Sequence, residues 1–395
     1  MSTSITSLPI SYAVSNCHLD MSRKGTDAVA TSVELLARDP SLNSLDLSNN
    51  HIGTAGAASI AMTLEANTGL TSLNLSNNEL GTEGVIAIAS ALKVNSHLGC
   101  LDLSSNRIDN DAASLLAIAG VLGVNSSLSS VKLQNVGLTC LGIPCIAPAL
   151  MQSSSLTSLD LRLNLLNNGS VSFITEALRY NPSLTHLSLK SCGLEDEDGR
   201  HVGEMLKDNT VLKSLNLSGA YFRPDALARI AMALTVNSSL TRLNLSYNLP
   251  GGPGIPLIAE ALKINSSLAH LNLSNSGISD ENAAPLAVAL RDNSSLTHLD
   301  LRGNGLSARS SIAFQEVLRQ NPSLTWMDLG YIEYNDPDPI RHERIVSFLE
   351  RNRVNATARR LTLEARCARI VAKLVFETYS PEDKGSVYFH IWNNS

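Results

Sequence analysis

Leucine and other aliphatic residues recur along this chain in one arrangement, Leu-x-x-Leu-x-Leu-x-x-Asn-x-Leu, in which x is mostly small or polar. The first leucines of the eleven copies are Leu42, Leu70, Leu98, Leu128, Leu156, Leu184, Leu212, Leu240, Leu268, Leu296 and Leu324. Nine of the ten spacings are 28 residues, and the spacing from Leu98 to Leu128 is 30. A register this regular indicates a repeat protein whose units stack along one axis.

The copy that begins at Leu70 shows what each unit is predicted to form. Leu70, Leu73 and Leu75 flank polar residues with a period of two, which is typical of a short strand with one buried face. Asn78 follows at a turn, where its side chain can bond backbone groups that the strands leave free. The stretch GTEGVIAIASALKVN then has helical spacing of its apolar residues and ends near Asn95. Each unit is therefore predicted to hold one strand and one helix.

Stacking follows because no unit can bury its own leucines. We expect the strands to lie side by side in a parallel sheet, with the helices outside. Strands lie about 4.8 Å apart whereas packed helices need about 8–10 Å, so the sheet must take the concave side. The predicted fold is a right-handed α/β solenoid: a horseshoe with a parallel concave β-sheet, outer α-helices and a helical C-terminal cap.

The 28-residue unit, the NSSLTxLxLSxN junctions and the helices led by Gly-x-x-Gly resemble the ribonuclease-inhibitor-like class of leucine-rich repeats. That class includes cytosolic ribonuclease inhibitor, the sensor regions of NOD-like receptors and Ran GTPase-activating protein. The resemblance covers residues 26–333 and implies the horseshoe fold. It leaves the function open, because these relatives share an architecture while binding unrelated molecules.

Several positions depart from the repeat frame. The asparagine is replaced in four copies, by Val136, Cys192, Ala220 and Ser276. Cysteine is a common alternative at this position of the class, so Cys192 is expected to be structural. The sequence PGGPG at 250–254 predicts a rigid loop on the rim. The two extra residues between Ile108 and Leu128 predict either a loop or a longer helix.

The chain is predicted to have three parts. Residues 1–41 form an N-terminal cap with a degenerate half-repeat, residues 42–333 hold the eleven leucine-rich repeats, and residues 334–395 form a C-terminal cap with basic helices and an aromatic tail. Caps are needed because an uncovered terminal repeat exposes its leucines to water.

Each cap has its own predicted elements. In the first, Ile5, Leu8 and Ile10 have the pattern of a strand, and TDAVATSVELLARDP that of a helix. In the second, residues 339–353 and 362–376 predict two helices, followed by the strand-like tail SVYFHIW. The helices carry nine Lys or Arg between 340 and 373 against three Glu, which predicts a solvated basic face or, as the alternative, a surface for an acidic partner.

Composition narrows the class of partner. The formal net charge is −6, which argues against nucleic acid or an acidic membrane surface as a partner. No stretch approaches the roughly 18 apolar residues of a membrane span, and the start of the chain lacks the pattern of a secretory signal. The six cysteines are scattered with no zinc-type spacing, as expected of reduced thiols in a cytoplasmic protein.

The residue before the second leucine of each copy forms a column across the open face of the predicted sheet. It is small in the first five copies and large in the last four. Tyrosine, tryptophan and arginine are enriched at interface hot spots. We therefore predict a protein-binding patch made of Arg242, Tyr247, His270, His298, Asp300, Arg302, Trp326, Asp328 and Tyr331. Ordinary surface variation, or a cover formed by the aromatic tail, is the alternative explanation of these residues.

Catalysis is not expected. Cys100 and His270 share a column but lie six strands apart, about 29 Å, far beyond the reach that activation of a thiol by a base requires. His270, His298 and Asp300 lie close together, yet a flat open sheet encloses a metal poorly. The chain lacks phosphate-loop, nucleophile-elbow and HExxH motifs. We predict no catalytic residue, cofactor, metal or small-molecule substrate.

The leading functional hypothesis is a non-enzymatic module that binds a partner protein through its concave face. In form the chain resembles bacterial effectors delivered into host cells, which would place it in the host cytosol. The alternative is a GTPase-activating protein similar to Ran GTPase-activating protein, although that relative has a long acidic tail and this chain does not. Ribonuclease inhibition suits the fold but not a chain with six Cys and two Trp.

Overall fold

The computed structural model describes residues 18–25, 27–108, 111–167, 169–248, 254–330 and 341–378. The strands are β1 (His18–Asp20), β2 (Ser44–Asp46), β3 (Ser72–Asn74), β4 (Cys100–Asp102), β5 (Ser130–Lys132), β6 (Ser158–Asp160), β7 (His186–Ser188), β8 (Ser214–Asn216), β9 (Arg242–Asn244), β10 (His270–Asn272), β11 (His298–Asp300) and β12 (Trp326–Asp328).

The helices alternate with the strands along the chain. They are α1 (Asp27–Arg38), α2 (Gly53–Ala66), α3 (Gly81–Val94), α4 (Ala112–Val124), α5 (Ile143–Gln152), α6 (Val171–Tyr180), α7 (Asp196–Asp208), α8 (Pro224–Leu234), α9 (Gly254–Ile264), α10 (Asp280–Asp292), α11 (Ala308–Gln320) and α12 (Arg341–Thr378).

The strands form one parallel sheet in sequence order, from β1 to β12. Each strand pairs with the next so that equivalent repeat positions face one another, as Leu45 faces Leu73 and Leu73 faces Leu101. The frame leucines are buried between this sheet and the helices; Leu70, for example, is 0% exposed. The α/β solenoid predicted from the repeat is confirmed.

Frame asparagines join consecutive units where the strands end. The backbone N–H of Asn50 donates to the side-chain oxygen of Asn78 at 2.7 Å, and Asn78 Nδ2 donates to the Leu47 carbonyl at 2.8 Å. Asn78 is 0% exposed, so these bonds replace water for groups that would otherwise be buried without partners. The predicted role of this asparagine in bonding the turn backbone is confirmed.

A second row of asparagines caps the helix ends. Asn95 Nδ2 donates to the carbonyls of Leu64 and Asn67, both at 2.8 Å, and its side-chain oxygen accepts from the backbone N–H of Leu98 at 2.9 Å. The Leu64 carbonyl lies in the last turn of α2, where carbonyls have no partner within the helix itself, and Asn95 provides a donor for it. Asn125, within a glycosylation-like triplet, makes the same bonds and is buried.

Cys192 takes the place of a frame asparagine, as predicted for a structural cysteine. Its Sγ lies 3.2 Å from the Leu161 carbonyl, where other copies place an amide donor, and the residue is 0% exposed. Burial raises the pKa of the thiol to about 12. The thiol is therefore protonated at neutral pH, which suits a donor to a carbonyl.

The first and last units differ from the sequence expectation. The strand that pairs with β2 is His18–Asp20, and its Leu19 faces Leu45. The half-repeat therefore has its strand shortly before α1. The strand expected around residues 5–10 lies outside the described residues. The two helices expected in the C-terminal cap are one helix, α12, of 38 residues. No helix-breaking residue separates the two amphipathic segments, which explains why they join.

Helix α12 closes the described end of the stack with its first part. Ile345 and Leu349 are buried, Asn352 Nδ2 donates to the carbonyls of Asn321 and Leu324 at 2.8 Å, and Arg351 reaches the end of α11. Residues 353–364 are exposed. The aromatic tail and the PGGPG loop lie outside the described residues apart from Gly254, where α9 begins.

The unit between Leu98 and Leu128 holds its two extra residues in the loop before α4, because α4 is no longer than its neighbours. The core beside this unit contains a cavity of about 20 Å³ lined by apolar side chains, Val131 among them. Val131 occupies a position that is Leu in all other full repeats up to β11.

Asn78→Ala is expected to lower the free energy of unfolding by about 2 kcal/mol, because it leaves the buried N–H of Asn50 without its acceptor and removes one of the two donors to the Leu47 carbonyl. Asn43→Ala, at an exposed position of the first repeat, is the control and should change it by less than about 0.5 kcal/mol. Urea unfolding followed by circular dichroism measures both. Equal effects of the two substitutions would contradict the role assigned to the asparagine row.

Val131→Leu is expected to fill part of the cavity and raise the free energy of unfolding by about 1 kcal/mol. The matched change Leu159→Val, on the next strand where the core is filled, should lower it by about 1 kcal/mol. A destabilised Val131→Leu variant in the same urea titration would show that the cavity cannot accept a methylene group.

Candidate functional site

Four large side chains stand side by side on the last four strands of the sheet. The register pairs Arg242 with His270, His270 with His298, and His298 with Trp326. All are at the first position of their strand, directly before a buried residue, so the alternation of the strand turns them to the concave side. The column predicted from the sequence is therefore confirmed as a geometric row.

The aromatic members of the row stack. The ring centroids of His270 and His298 lie 4.1 Å apart with an interplanar angle of 23°, and those of His298 and Trp326 lie 6.1 Å apart at the same angle. These separations suit the strand spacing of about 4.8 Å. Such a stack is a preorganised flat surface, because the backbone ladder holds its rings in order.

Hydrogen bonding fixes the tautomer of His298. The Thr297 hydroxyl donates to the Ala269 carbonyl at 3.0 Å, and its oxygen lies 2.9 Å from His298 Nδ1. A hydroxyl has one proton to donate, so in the neutral ring Nδ1–H donates to the hydroxyl oxygen. Nε2 of neutral His298 is then an acceptor for a group outside the ring stack.

The stack favours uncharged imidazoles. Partial burial lowers the pKa of His270 below its ordinary value, and the charges of His298 and Arg242 lower it further. Burial also lowers the pKa of His298, followed by the charges of Arg242 and Arg353. Both rings are therefore mostly neutral at pH 7, and the row consists of one permanent cation followed by three neutral rings.

Asp300 lines the depression on the concave face but is nearly buried and paired with Arg302. Arg302 donates to its carboxylate from Nε at 3.0 Å and from Nη2 at 2.7 Å, and Asp300 is 6% exposed. The Arg302 Nε also lies 3.6 Å from the carboxylate of Asp328. The pKa of the Arg302 guanidinium is raised, mainly by its bond to Asp300. Asp300 therefore holds Arg302 in place, and Arg302 presents the exposed part of this pair.

Tyr247 lies on the rim just after β9 and is 60% exposed. Its φ of +55° is in the left-handed region, and the other described repeats place Asn, Ser or Gly at this position, apart from Leu163. A bulky side chain costs roughly 1–2 kcal/mol in that conformation. Leu163 and Tyr221 show the same combination of exposure and positive φ. Tyr331, the remaining predicted site residue, lies outside the described residues.

The two halves of the concave face differ. A depression across β8–β12 is lined by Ser214, Arg242, His270, His298 and Trp326 among others. The corresponding part of the first half is lined by His18 on β1, by small residues such as Ser44 and Ser72, and by Asp102, which pairs with Lys132 at 3.2 Å. Cys100 is exposed on β4, six strands from His270 on β10. Four large first-position side chains are thus adjacent on β9–β12, whereas His18 and His186 stand apart on β1 and β7.

In the described part of the chain, no three His, Cys, Asp or Glu side chains converge as a metal site requires. Stacked imidazoles point their nitrogens along parallel planes, which is a poor arrangement for two ligands of one ion. None of the described helices is both long enough and apolar enough to cross a membrane.

A family model described as Leucine Rich repeat matches the chain at residues 38–61, 66–89, 94–117, 180–200 and 292–310. Each matched segment contains one strand of the sheet, at the frame position read from the sequence. The repeats of this chain are leucine-rich repeats. No curated protein matches the sequence.

Solved structures share the leucine-rich repeat architecture at low identity. A chain of the yeast Rad7–Elc1 complex is 20% identical with a TM-score of 0.52, and the match covers 80% of this chain and 76% of that one. The leucine-rich repeat-containing protein LegL7 from Legionella pneumophila is 18% identical, TM-score 0.46, with 73% and 94% covered. Leiomodin-1 actin-binding site 2 is 20% identical, TM-score 0.38, with 42% and 95% covered. At this identity the likeness concerns the fold alone.

Two features of the site were missed from the sequence. Lys213, which directly precedes β8, is exposed at a position that is small in the other leucine-rich repeats apart from its first, Asn43. Leu163 and Tyr247 interrupt a position that the other described repeats fill with Asn, Ser or Gly. Comparing every frame column, rather than the strand column alone, would have identified both.

Lowering the pH is expected to destabilise the protein through His270. Its folded pKa lies below the ordinary 6.5, so the unfolded chain takes up the proton first and stability is lost as pH falls below about 6.5. His270→Gln should therefore reduce the fall in melting temperature between about pH 7.5 and about pH 5. His97→Gln, at an exposed position, is the control. Identical pH profiles for His270→Gln and the wild type would contradict this assignment.

Proposed function

We propose that this leucine-rich repeat protein is a non-enzymatic binding protein that holds a partner protein in the C-terminal half of its concave face. The observation that supports the proposal is the row of Arg242, His270, His298 and Trp326. The side chains of this row are not part of the hydrophobic core. The equivalent positions of the first five full repeats are Ser or Cys. Solenoid proteins commonly bind through such extended concave surfaces.

Aromatic and arginine side chains suit this role physically. They supply a large contact area with few rotatable bonds, so little entropy is lost when a partner orders them. The stack of His270, His298 and Trp326 is already ordered before binding, which lowers that cost further. Tyr247 and Arg302 extend the same surface toward the rim.

The proposal is tested by capturing partners on three immobilised proteins: the wild type, the variant Arg242→Ala/His298→Ala/Trp326→Ala, and a control. The control carries Ser44→Ala, Cys100→Ala and Ser130→Ala at the same frame position in the other half. Proteins held by the wild type and the control should be held at least about tenfold less by the first variant, since a hot-spot truncation costs more than about 1 kcal/mol. Melting temperatures check that all three fold.

Undiminished capture by a folded triple variant would overturn the proposed site. Capture that falls equally with the control variant would place the site elsewhere on the concave face. Activity as a GTPase-activating protein and action as a secreted effector in a host cytosol stay predictions. Single-turnover GTP hydrolysis by small GTPases, with and without the protein, tests the first.

A further inference from the structure

The charge of the concave face changes along the horseshoe. The strand segments of β7 to β10 and their flanks, residues 184–191, 212–219, 240–247 and 268–275, contain no Asp or Glu. They contain the permanent cations Lys190, which follows β7, Lys213, which precedes β8, and Arg242, the first residue of β9. The first four strands, by contrast, carry Asp20, Asp46 and Asp102. A cationic surface therefore borders the aromatic stack, within a chain whose net charge is −6.

These three cations have no acidic partner within the described residues, and all three are exposed. Other cations of the same face are paired: Lys132 with Asp102, Arg162 with Asp160, and Arg302 with Asp300. An apolar partner laid over the unpaired set would bury three uncompensated charges, at a cost of several kcal/mol for each that is fully desolvated. A partner that covers this surface must bring anionic groups to meet them.

The neighbouring ring stack suits uncharged, flat groups rather than anionic ones. His270 and His298 are mostly neutral and lie flat against each other, and Trp326 extends the surface by one strand. Such a surface gains most from a flat aromatic or apolar side chain placed over it. Nε2 of His298 offers one acceptor for a hydroxyl or amide of that side chain or its backbone.

We infer that the partner presents an acidic segment with an aromatic residue at one end. Its carboxylates meet Lys190, Lys213 and Arg242, and its ring lies on the stack of His270, His298 and Trp326. This rests on the proposed function and specifies the partner. From β7 to β12 the sheet spans five strand spacings, about 24 Å, which an extended segment of about seven residues covers.

A protein segment fits better than a nucleic acid. The acidic strands β1, β2 and β4 lie on the same concave face and would repel a polyanion that continued past the cationic strands. A short acidic segment ends before it reaches them. Single-stranded nucleic acid, which also combines anionic groups with stacking rings, is the competing ligand that the experiment must separate.

The test uses full-length protein and fluorescein-labelled probes in anisotropy titrations. The probes are the peptide EEEEEYY, the charge-reversed KKKKKYY, the ring-free EEEEEGG, and a short oligodeoxythymidylate. EEEEEYY is expected to bind, more tightly than EEEEEGG, and to weaken as salt rises. KKKKKYY should not bind. Tighter binding of KKKKKYY or of the oligodeoxythymidylate, or no binding of EEEEEYY at up to about 1 mM, would overturn the inference.

Two variants separate the parts of the surface. Lys190→Glu/Lys213→Glu/Arg242→Glu should bind EEEEEYY at least about tenfold more weakly. The same variant should gain binding of KKKKKYY, and this gain distinguishes a reversed charge from a protein that has failed to fold. His298→Ala/Trp326→Ala should lose affinity for EEEEEYY but not for EEEEEGG. Unchanged affinities in either variant would contradict the corresponding contact. If the peptides fail while the alanine variant still loses its captured partner, the site stands and the acidic partner class is wrong.

Discussion

Side-chain amides that bond the backbone of the preceding unit hold this horseshoe together. Where strands and helices end, peptide groups have no partner in their own ladder, and leaving them buried costs about as much as losing a hydrogen bond each. Asn78 serves one such place and Asn95 the other, and each reaches back by about one repeat. The unit of 30 residues keeps these bonds through Asn125, so the frame fixes the position of the amide rather than the length of the unit.

A frame held in this way leaves the first residue of each strand without a role in bonding the backbone. Leucines fill the interior, and the frame asparagines satisfy backbone groups. The third residue of most strands also serves the frame, since the side-chain oxygen of Asp46, for example, accepts from the backbone N–H of Ser48 at 2.8 Å. The first strand residue varies along the sheet, from His18 on β1 through Ser44 on β2 to Trp326 on β12. The unequal halves of the face therefore reflect the choice of side chains on a uniform backbone.

The features that depend on the 28-residue repeat could be predicted from the sequence. Strand positions, the concave column and the duty of Cys192 all depend on which residues must be buried, and burial repeats with the leucines. Burial and pKa values that depend on contacts between side chains from different parts of the chain could not be predicted in this way. The burial of Asp300 depends on how Arg302 folds over it, and the lowered pKa of His298 depends partly on Arg353, which comes from a different element. The joining of two helices into α12 concerns the last unit alone, where no further copy exists to set the pattern.

The spacing of the strands also sets a reading frame for anything that lies across them. An extended peptide advances about 3.3 Å per residue, whereas the sheet offers a new side chain every 4.8 Å or so. The two scales coincide about every 10 Å, after three residues of the peptide and two strands. An extended segment laid across the sheet would thus align with His270 and Trp326 but not with His298. Under the proposed function, the spacing of the strands would select a partner by the interval between its anchoring residues as well as by their chemistry.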